Sequence, residues 1–201
     1  MPDIVKILPI EVSNKIAAGE VVQRPSSVLK ELLENSIDAK SSKIKIIIKN
    51  AGKNLIQVID NGQGMSKNDM HSSIIKHATS KIDKFDDIFC INSMGFRGEA
   101  LAAISSVSMI EMTSSKANEN DGYYIEVNGG KVVSEEELNV NTGTNIKVKN
   151  LFYNVPARRN FLKSDFVELK HIINVFNNIA ISHNEIEFTF INNGEEIFYL
   201  K

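Results

Sequence analysis

One cysteine, Cys90, stands in the whole chain, so an internal disulfide and a multi-cysteine metal site are both excluded. That usage fits a reducing compartment. Between Phe89 and Ile91 the thiol reads as a small buried hydrophobe. Tryptophan is absent, and the only prolines are Pro2, Pro9, Pro25 and Pro156, each where a turn or a helix start is expected. No Pro/Gly-rich linker, internal repeat or low-complexity tract interrupts the sequence, which reads as one continuous domain. No apolar run approaches the length of a membrane span. Met1 to Ile10 interleaves Asp3 and Lys6 with short apolar pairs, unlike a secretory signal, so a soluble cytoplasmic protein with no membrane association is expected. An excess of either charge is missing too. The 23 Lys+Arg against 25 Asp+Glu leave a net charge of -2, which gives no general attraction to a polyanion and leaves only weak, local contact with DNA. What is present is 201 residues, 42% of them hydrophobic, enough for one globular domain or at most two small ones. The heavy use of Ile, Asn and Lys reads as codon bias.

Periodicity outlines the elements. Ser13 to Val21 reads as a short helix, and Pro25 opens a longer one with Val28, Leu29, Leu32, Leu33 and Ile37 at helical spacing. Ile44, Ile46 and Ile48 alternate along a strand, and Leu55 to Asp60 is a second strand stopped by Asn61-Gly62. Short helices are expected over Asp69 to Lys76 and Gly98 to Ser105. Strands follow over Val107 to Thr113, Tyr123 to Val127, Lys131 to Val133 and Thr144 to Val148. A long amphipathic helix is expected from Lys163 to Ala180, and a hairpin from Glu187 to Ile191 and Glu196 to Leu200 around Asn192-Asn-Gly194. Helices early and strands late point to an α+β two-layer sandwich, with helices on one face of a mixed, mainly antiparallel sheet. Ending on a hairpin strand at Lys201, the sequence reads as a piece of a longer protein.

Four polar constellations stand out. Glu31, Asn35 and Asp38 fall at i, i+4 and i+7 on one side of the Pro25 helix. They form either a solvated face or a site in which Glu31 is a general base for water and Asn35 a hard ligand for Mg2+. Asp60-Asn-Gly-Gln-Gly64 ends an apolar strand with an acid that could accept from an exocyclic amine, or is an ordinary Asn-Gly hairpin turn. Gly95-Phe96-Arg97-Gly98-Glu99-Ala100-Leu101 is a glycine-bounded loop entering a helix, a place where backbone N–H groups can meet an anion. It is neither of the common phosphate-binding glycine fingerprints. His77-Ala-Thr79-Ser80-Lys81 offers donors and a cation, or is a solvated loop. The stretch from Phe152 to Arg159 reads as a structural corner in preference to a basic contact surface. Together the first three supply a base, a metal ligand, an amine acceptor and a phosphate cradle, which describes an ATP pocket of a non-Walker kind.

Ile16-Ala-Ala-Gly-Glu-Val-Val-Gln-Arg-Pro25, Glu31-Leu-Leu-Glu-Asn-Ser-Ile-Asp-Ala39, Asp60 to Gly64, His77 to Lys81, Gly95 to Leu101 and Phe152 to Arg158 occur in an order that closely resembles the MutL family of DNA mismatch repair proteins. Its wider superfamily is GHKL, which unites gyrase, heat-shock chaperone ATPases, histidine kinases and MutL. The resemblance implies a Bergerat-type ATPase fold across residues 1–201. It implies Glu31 as the base, Asn35 on Mg2+, and Asp60, through a water shared with Thr144, on the adenine amine. Gly95 to Leu101 would be a lid over the phosphates, supported by Thr79, Ser80 and Lys81. Asp38, Ala39 and Gly64 match the family pattern, and Asp38 could orient the turn without touching ligand. It further implies a following transducer domain that supplies a lysine to the γ-phosphate and a C-terminal dimerisation domain, both beyond Lys201. ATP-driven association of N-terminal domains, with Met1 to Ile16 contributing, is implied as well, as are a MutS-like mismatch-recognition protein and a downstream nuclease or helicase as partners. Another GHKL ATPase, such as a type II topoisomerase subunit, is the alternative within the superfamily; Gln23-Arg24-Pro25 and the Gly95 loop argue against it. A protein or DNA interaction module without significant turnover is the alternative outside it, and intact Glu31, Asn35 and Asp60 argue against that.

Overall fold

The computed structural model describes residues 9–79, 94–95, 98–117 and 121–201, without the side chains of Ile10 and Glu11. Met1 to Leu8, Ser80, Lys81, Cys90, Phe96 and Arg97 lie outside the described residues, so the expectations for them are not addressed by the fold.

Helix α1 (Ile10–Val21) leads to α2 (Pro25–Asp38), where Pro25 occupies the first turn after an extended Arg24. Proline is well placed there, because its fixed φ suits the helix and its missing N–H would have no partner in any case. Val28, Leu29, Leu32 and Leu33 turn one stripe of α2 wholly into the core. Strand β1 (Lys43–Lys49) buries Ile44, Ile46 and Ile48 and exposes Lys43, Lys45 and Lys49, as period-two alternation requires. A 3-10 turn (Asn50–Gly52) joins it to β2 (Leu55–Asp60).

Helix α3 (Lys67–Ser73) starts earlier than expected, because a capping box sets its start, and it stops sooner, at Ser73. The Ser66 hydroxyl accepts the Asp69 N–H at 3.2 Å and the Asp69 carboxylate accepts the Ser66 N–H at 3.3 Å. The remaining elements are α4 (Ala100–Ser106), β3 (Met109–Ser115), β4 (Gly122–Asn128), β5 (Lys131–Leu138), β6 (Gly143–Lys149), α5 (Pro156–Phe161), α6 (Asp165–Ser182), β7 (Glu187–Asn192) and β8 (Glu195–Leu200).

Among the described residues, eight strands form one sheet in the order β5-β4-β3-β6-β2-β1-β7-β8. Among these described strands only β1 and β7 run parallel; every other neighbour is antiparallel. Buried apolar residues on β1, β2, β3, β4, β6 and β7 share one face, and α2 and α6 cover it. The opposite face is polar, with Glu111 bridging Lys147 at 2.9 Å and also pairing with Lys149. This is the expected α+β sandwich. Among the described residues no helix is long and apolar enough to cross a membrane.

Three local expectations change. Asn61-Gly62 is not a hairpin turn, because β2 lies between β1 and β6 and the chain runs on toward α3. Strand β5 extends to Leu138 instead of stopping at Val133, with nearly every residue exposed on the sheet edge. The corner from Phe152 to Arg159 contains a short helix, α5, which Pro156 starts.

Aromatic packing fixes α6 to the far edge. Phe176 is fully buried, stacks on Phe198 at 5.3 Å, meets Phe188 edge-on at 5.8 Å and lies 5.0 Å from Phe190. Such pairs add to the area they bury. Phe176→Ala should therefore cost about 3–5 kcal/mol, read as a lower urea midpoint with an unchanged slope.

Candidate functional site

The site is organised by the last two turns of α2. Glu31, Asn35 and Asp38 are all half-buried on this helix, while Leu29, Leu32 and Leu33 anchor it in the core. From its end, two loops are held. The Ser36 hydroxyl donates to Asp60 Oδ2 at 2.9 Å, the Gly62 N–H donates to Asp60 Oδ1 at 2.9 Å, and the Gln63 N–H donates to the Ala39 carbonyl at 2.9 Å. On its other side, Asp38 accepts the Met94 N–H at 3.0 Å and the Gly95 N–H at 3.3 Å. Asp60 and Asp38 therefore belong to one hydrogen-bonded junction, although they come from two separate motifs.

Burial pushes the Asp60 carboxyl above its ordinary value, and hydrogen bonds from Gly62 and Ser36 offset only part of that rise. Its neighbours are laid out by register. Ile44, Asp60, Thr144 and Ser114 sit side by side across β1, β2, β6 and β3. Thr144 and Ser114 are buried, with their hydroxyl oxygens 3.0 Å apart. Gly64 closes the turn at φ +68°, where a Cβ would fall 1.9 Å from the Ser115 carbonyl oxygen. No side chain fits there.

The third and fourth motifs also meet. At Gly98 a Cβ would lie 2.4 Å from the Ala78 carbonyl oxygen, and φ is +61°. His77 Nδ1 stands 3.1 Å from Glu99 Oε1, while Ala100 and Leu101 form the first turn of α4. Thr79 follows this contact and is half-buried. The stretch from Phe152 to Arg159 is not part of the junction. Phe152 donates to the Val107 carbonyl at 2.7 Å, and Arg158 reaches the Ile16 carbonyl of α1 at 3.4 Å while lying over the Phe152 ring. It acts as a corner, as its sequence suggests.

Two residues of the junction carry no motif signal of their own. Ser36 sits beside Asn35 inside the helical motif and is conspicuous only once α2 is docked on β2. Ser114 falls one residue past the expected end of its strand. Among the described residues no group of three or more His, Cys, Asp or Glu side chains could hold a metal. Mg2+ needs no such group, since it takes one or two protein oxygens together with phosphates and waters, and the Asn35 amide fits that role.

Residues 23–155 match the family described as histidine kinase-, DNA gyrase B- and HSP90-like ATPase. The chain belongs to this ATPase family. Over 200 residues it is 54% identical to the DNA mismatch repair protein MutL of Christiangramia forsetii, a match covering 100% of this chain and 32% of that protein. It is also 54% identical to MutL of Flavobacterium psychrophilum, over 100% of this chain and 33% of the relative. The chain thus spans about a third of the length of these relatives. Among solved structures, the Aquifex aeolicus MutL ATPase domain complexed with ADP superposes with a TM-score of 0.74 at 33% identity, covering 90% of this chain and 65% of that one. These findings agree with the MutL-type GHKL ATPase domain expected from the motifs.

The Asp60 environment of this ATPase domain has a measurable sign. A carboxyl whose folded pKa is raised adds stability below its unfolded pKa and loses that contribution as pH rises through the folded value. Wild type should therefore lose stability relative to Asp60→Asn between acid and neutral pH. Urea midpoints of the two proteins measured over that interval should diverge, and a constant gap would refute the raised value.

Proposed function

We propose that the chain binds ATP between α2, the Asp60 turn and the segment from Gly95 to Leu101, and that it hydrolyses ATP as the switching domain of a mismatch repair protein. The observation that carries this reading is the junction at the end of α2, where Ser36 and Asp38 hold the Asp60 turn and the Gly95 segment within one helical turn. The relative solved with ADP supports the same ligand class.

Glu31 orients and deprotonates the attacking water, a role worth roughly 10²- to 10⁴-fold in rate. Asn35 holds Mg2+ through its amide oxygen. When bound, that ion supplies positive charge where phosphoryl transfer is most anionic. Asp60, through a water shared with Thr144, reads the adenine amine, so a guanine carbonyl meets acceptors and GTP is disfavoured. Gly95, Phe96, Arg97, Gly98, Glu99, Ala100 and Leu101 cover the phosphates through their backbone, with Thr79, Ser80 and Lys81 beside them. Asp38 positions Met94 and Gly95 at the start of that cover. Ala39 and Gly64 shape the walls.

In a protein of its relatives' length, nucleotide binding closes the cover and drives association of two copies. A further domain then lends a lysine to the γ-phosphate. That state signals from a MutS-like mismatch-recognition protein to a nuclease or helicase, and DNA contact through this domain is weak and salt-sensitive.

Thermal shifts with ATP, GTP and a non-hydrolysable analogue, with and without Mg2+, test the reading. ATP at 100 times its dissociation constant should stabilise by roughly 2.7 kcal/mol, and an equal shift with GTP would contradict the base assignment. Asp60→Asn should weaken ATP binding by about 1–3 kcal/mol. Glu31→Ala should keep the shift and lose most hydrolysis, measured in a protein of the relatives' length; unchanged turnover would remove Glu31 as the base.

A further inference from the structure

The Ser114 side chain makes three hydrogen-bonding contacts one strand away from Thr144, the register neighbour of Asp60. A serine hydroxyl offers one proton and two lone pairs. The Met65 N–H, 2.9 Å away, can only donate to Ser114 Oγ. The Gly143 carbonyl, 2.8 Å away, can only accept from it. When Ser114 gives its proton to Gly143 and one lone pair to Met65, its second lone pair is left for Thr144 Oγ1 at 3.0 Å. Either hydroxyl can donate across this contact, and the arrangement that satisfies the Gly143 carbonyl is the one in which Thr144 donates.

This fixes what Thr144 offers to a ligand. With its proton committed to Ser114, the Thr144 hydroxyl presents only lone pairs. Asp60, next to it in register, is in the same condition: one oxygen already accepts from Gly62 and the other from Ser36, and an ionised carboxylate has no proton to give. The two side chains together form an edge that accepts and cannot donate.

We propose that Ser114 is a specificity-determining positioning residue, which holds the Thr144 hydroxyl as an acceptor so that the pocket takes a 6-amino purine and rejects a 6-oxo purine. The inference rests on the reading of Asp60 and Thr144 as the base-recognising end. It adds a residue that touches no ligand and acts through Thr144. The same oxygen holds the Gly64-Met65 turn through the Met65 N–H, so the turn and the hydroxyl are set together.

The test compares ATP with ITP, in which an oxygen replaces the 6-amino group, by titration calorimetry on the chain. Wild type should bind ATP more tightly. Ser114→Ala frees the Thr144 proton to meet a 6-oxo group and should narrow the ITP-to-ATP ratio of dissociation constants about tenfold, with Ser114→Thr restoring it. Thr144→Val should narrow the ratio as well, and Ser114→Ala added to Thr144→Val should change it no further. A folded Ser114→Ala protein with the wild-type ratio would overturn the proposal, as would an equal further narrowing in the Thr144→Val background. Where Ser114→Ala does not fold, Thr144→Val decides alone: equal weakening of ATP and ITP overturns the assignment. ATP binding indifferent to Asp60→Asn would remove the base-site reading and this inference with it. Binding that depends on Asp60 with a ratio indifferent to Ser114 removes only the inference.

Discussion

The bond from the Ser36 hydroxyl to the Asp60 carboxylate is a polar tie between the helical layer and the sheet. Elsewhere α2 lies on the sheet through Val28, Leu29, Leu32 and Leu33, contacts that resist separation but are tolerant of sliding or rolling. A directional bond to a largely buried carboxylate is not tolerant in that way, because losing it leaves a charge under-solvated. Rotating α2 would break it and carry Asn35 and Asp38 with the same movement. The Ser36 hydroxyl thus joins the Gln63–Ala39 bond in fixing how α2 sits on the sheet, and with it the places of the Asn35 amide and the Asp38 carboxylate.

The two aspartates of the junction divide the work by environment. Asp38 takes two backbone N–H groups from the segment at Met94 and Gly95, so it fixes chain. Asp60 is held from the helix and from its own turn, and its neighbour in register is Thr144, so it faces the next strand. A purely apolar contact at the end of α2 would satisfy packing and leave the loops on either side unconnected. Carboxylates accept several donors at once, and that capacity lets one helix end hold two loops.

The strands were legible wherever one face is buried and the other is wet. Lys43 to Lys49 declares its strand by alternation, and Pro25 declares the start of α2. The motifs located Asp60, Asn35, Asp38 and the Gly95 segment, because glycines and paired polar residues at fixed spacing are unusual. What the sequence could not reveal is relational. The earlier start of α3 follows from a reciprocal cap between Ser66 and Asp69, while the residues expected to continue the helix, to Lys76, had the right pattern. The fate of Asn61-Gly62 depended on which strands flank β2, a fact of topology. Serines at 36 and 114 are ordinary in their local windows and gain meaning only from residues far along the chain.

The parallel pairing of β1 with β7 also bears on how the chain assembles. Ile44 to Ile48 bond to Phe188 to Asn192, so β1 stays an unpaired edge on that side until residue 188 and beyond has been synthesised. Thr144 and Ser114, which complete the row beside Asp60, emerge earlier. On the ribosome the polar junction can therefore form before the sheet is closed, and β1, a strand of four isoleucines in Lys43–Lys49, waits longest with an open edge. Pairings so distant in sequence form slowly, and an exposed edge is where nascent chains aggregate. The lysines that alternate with those isoleucines charge that edge during the wait.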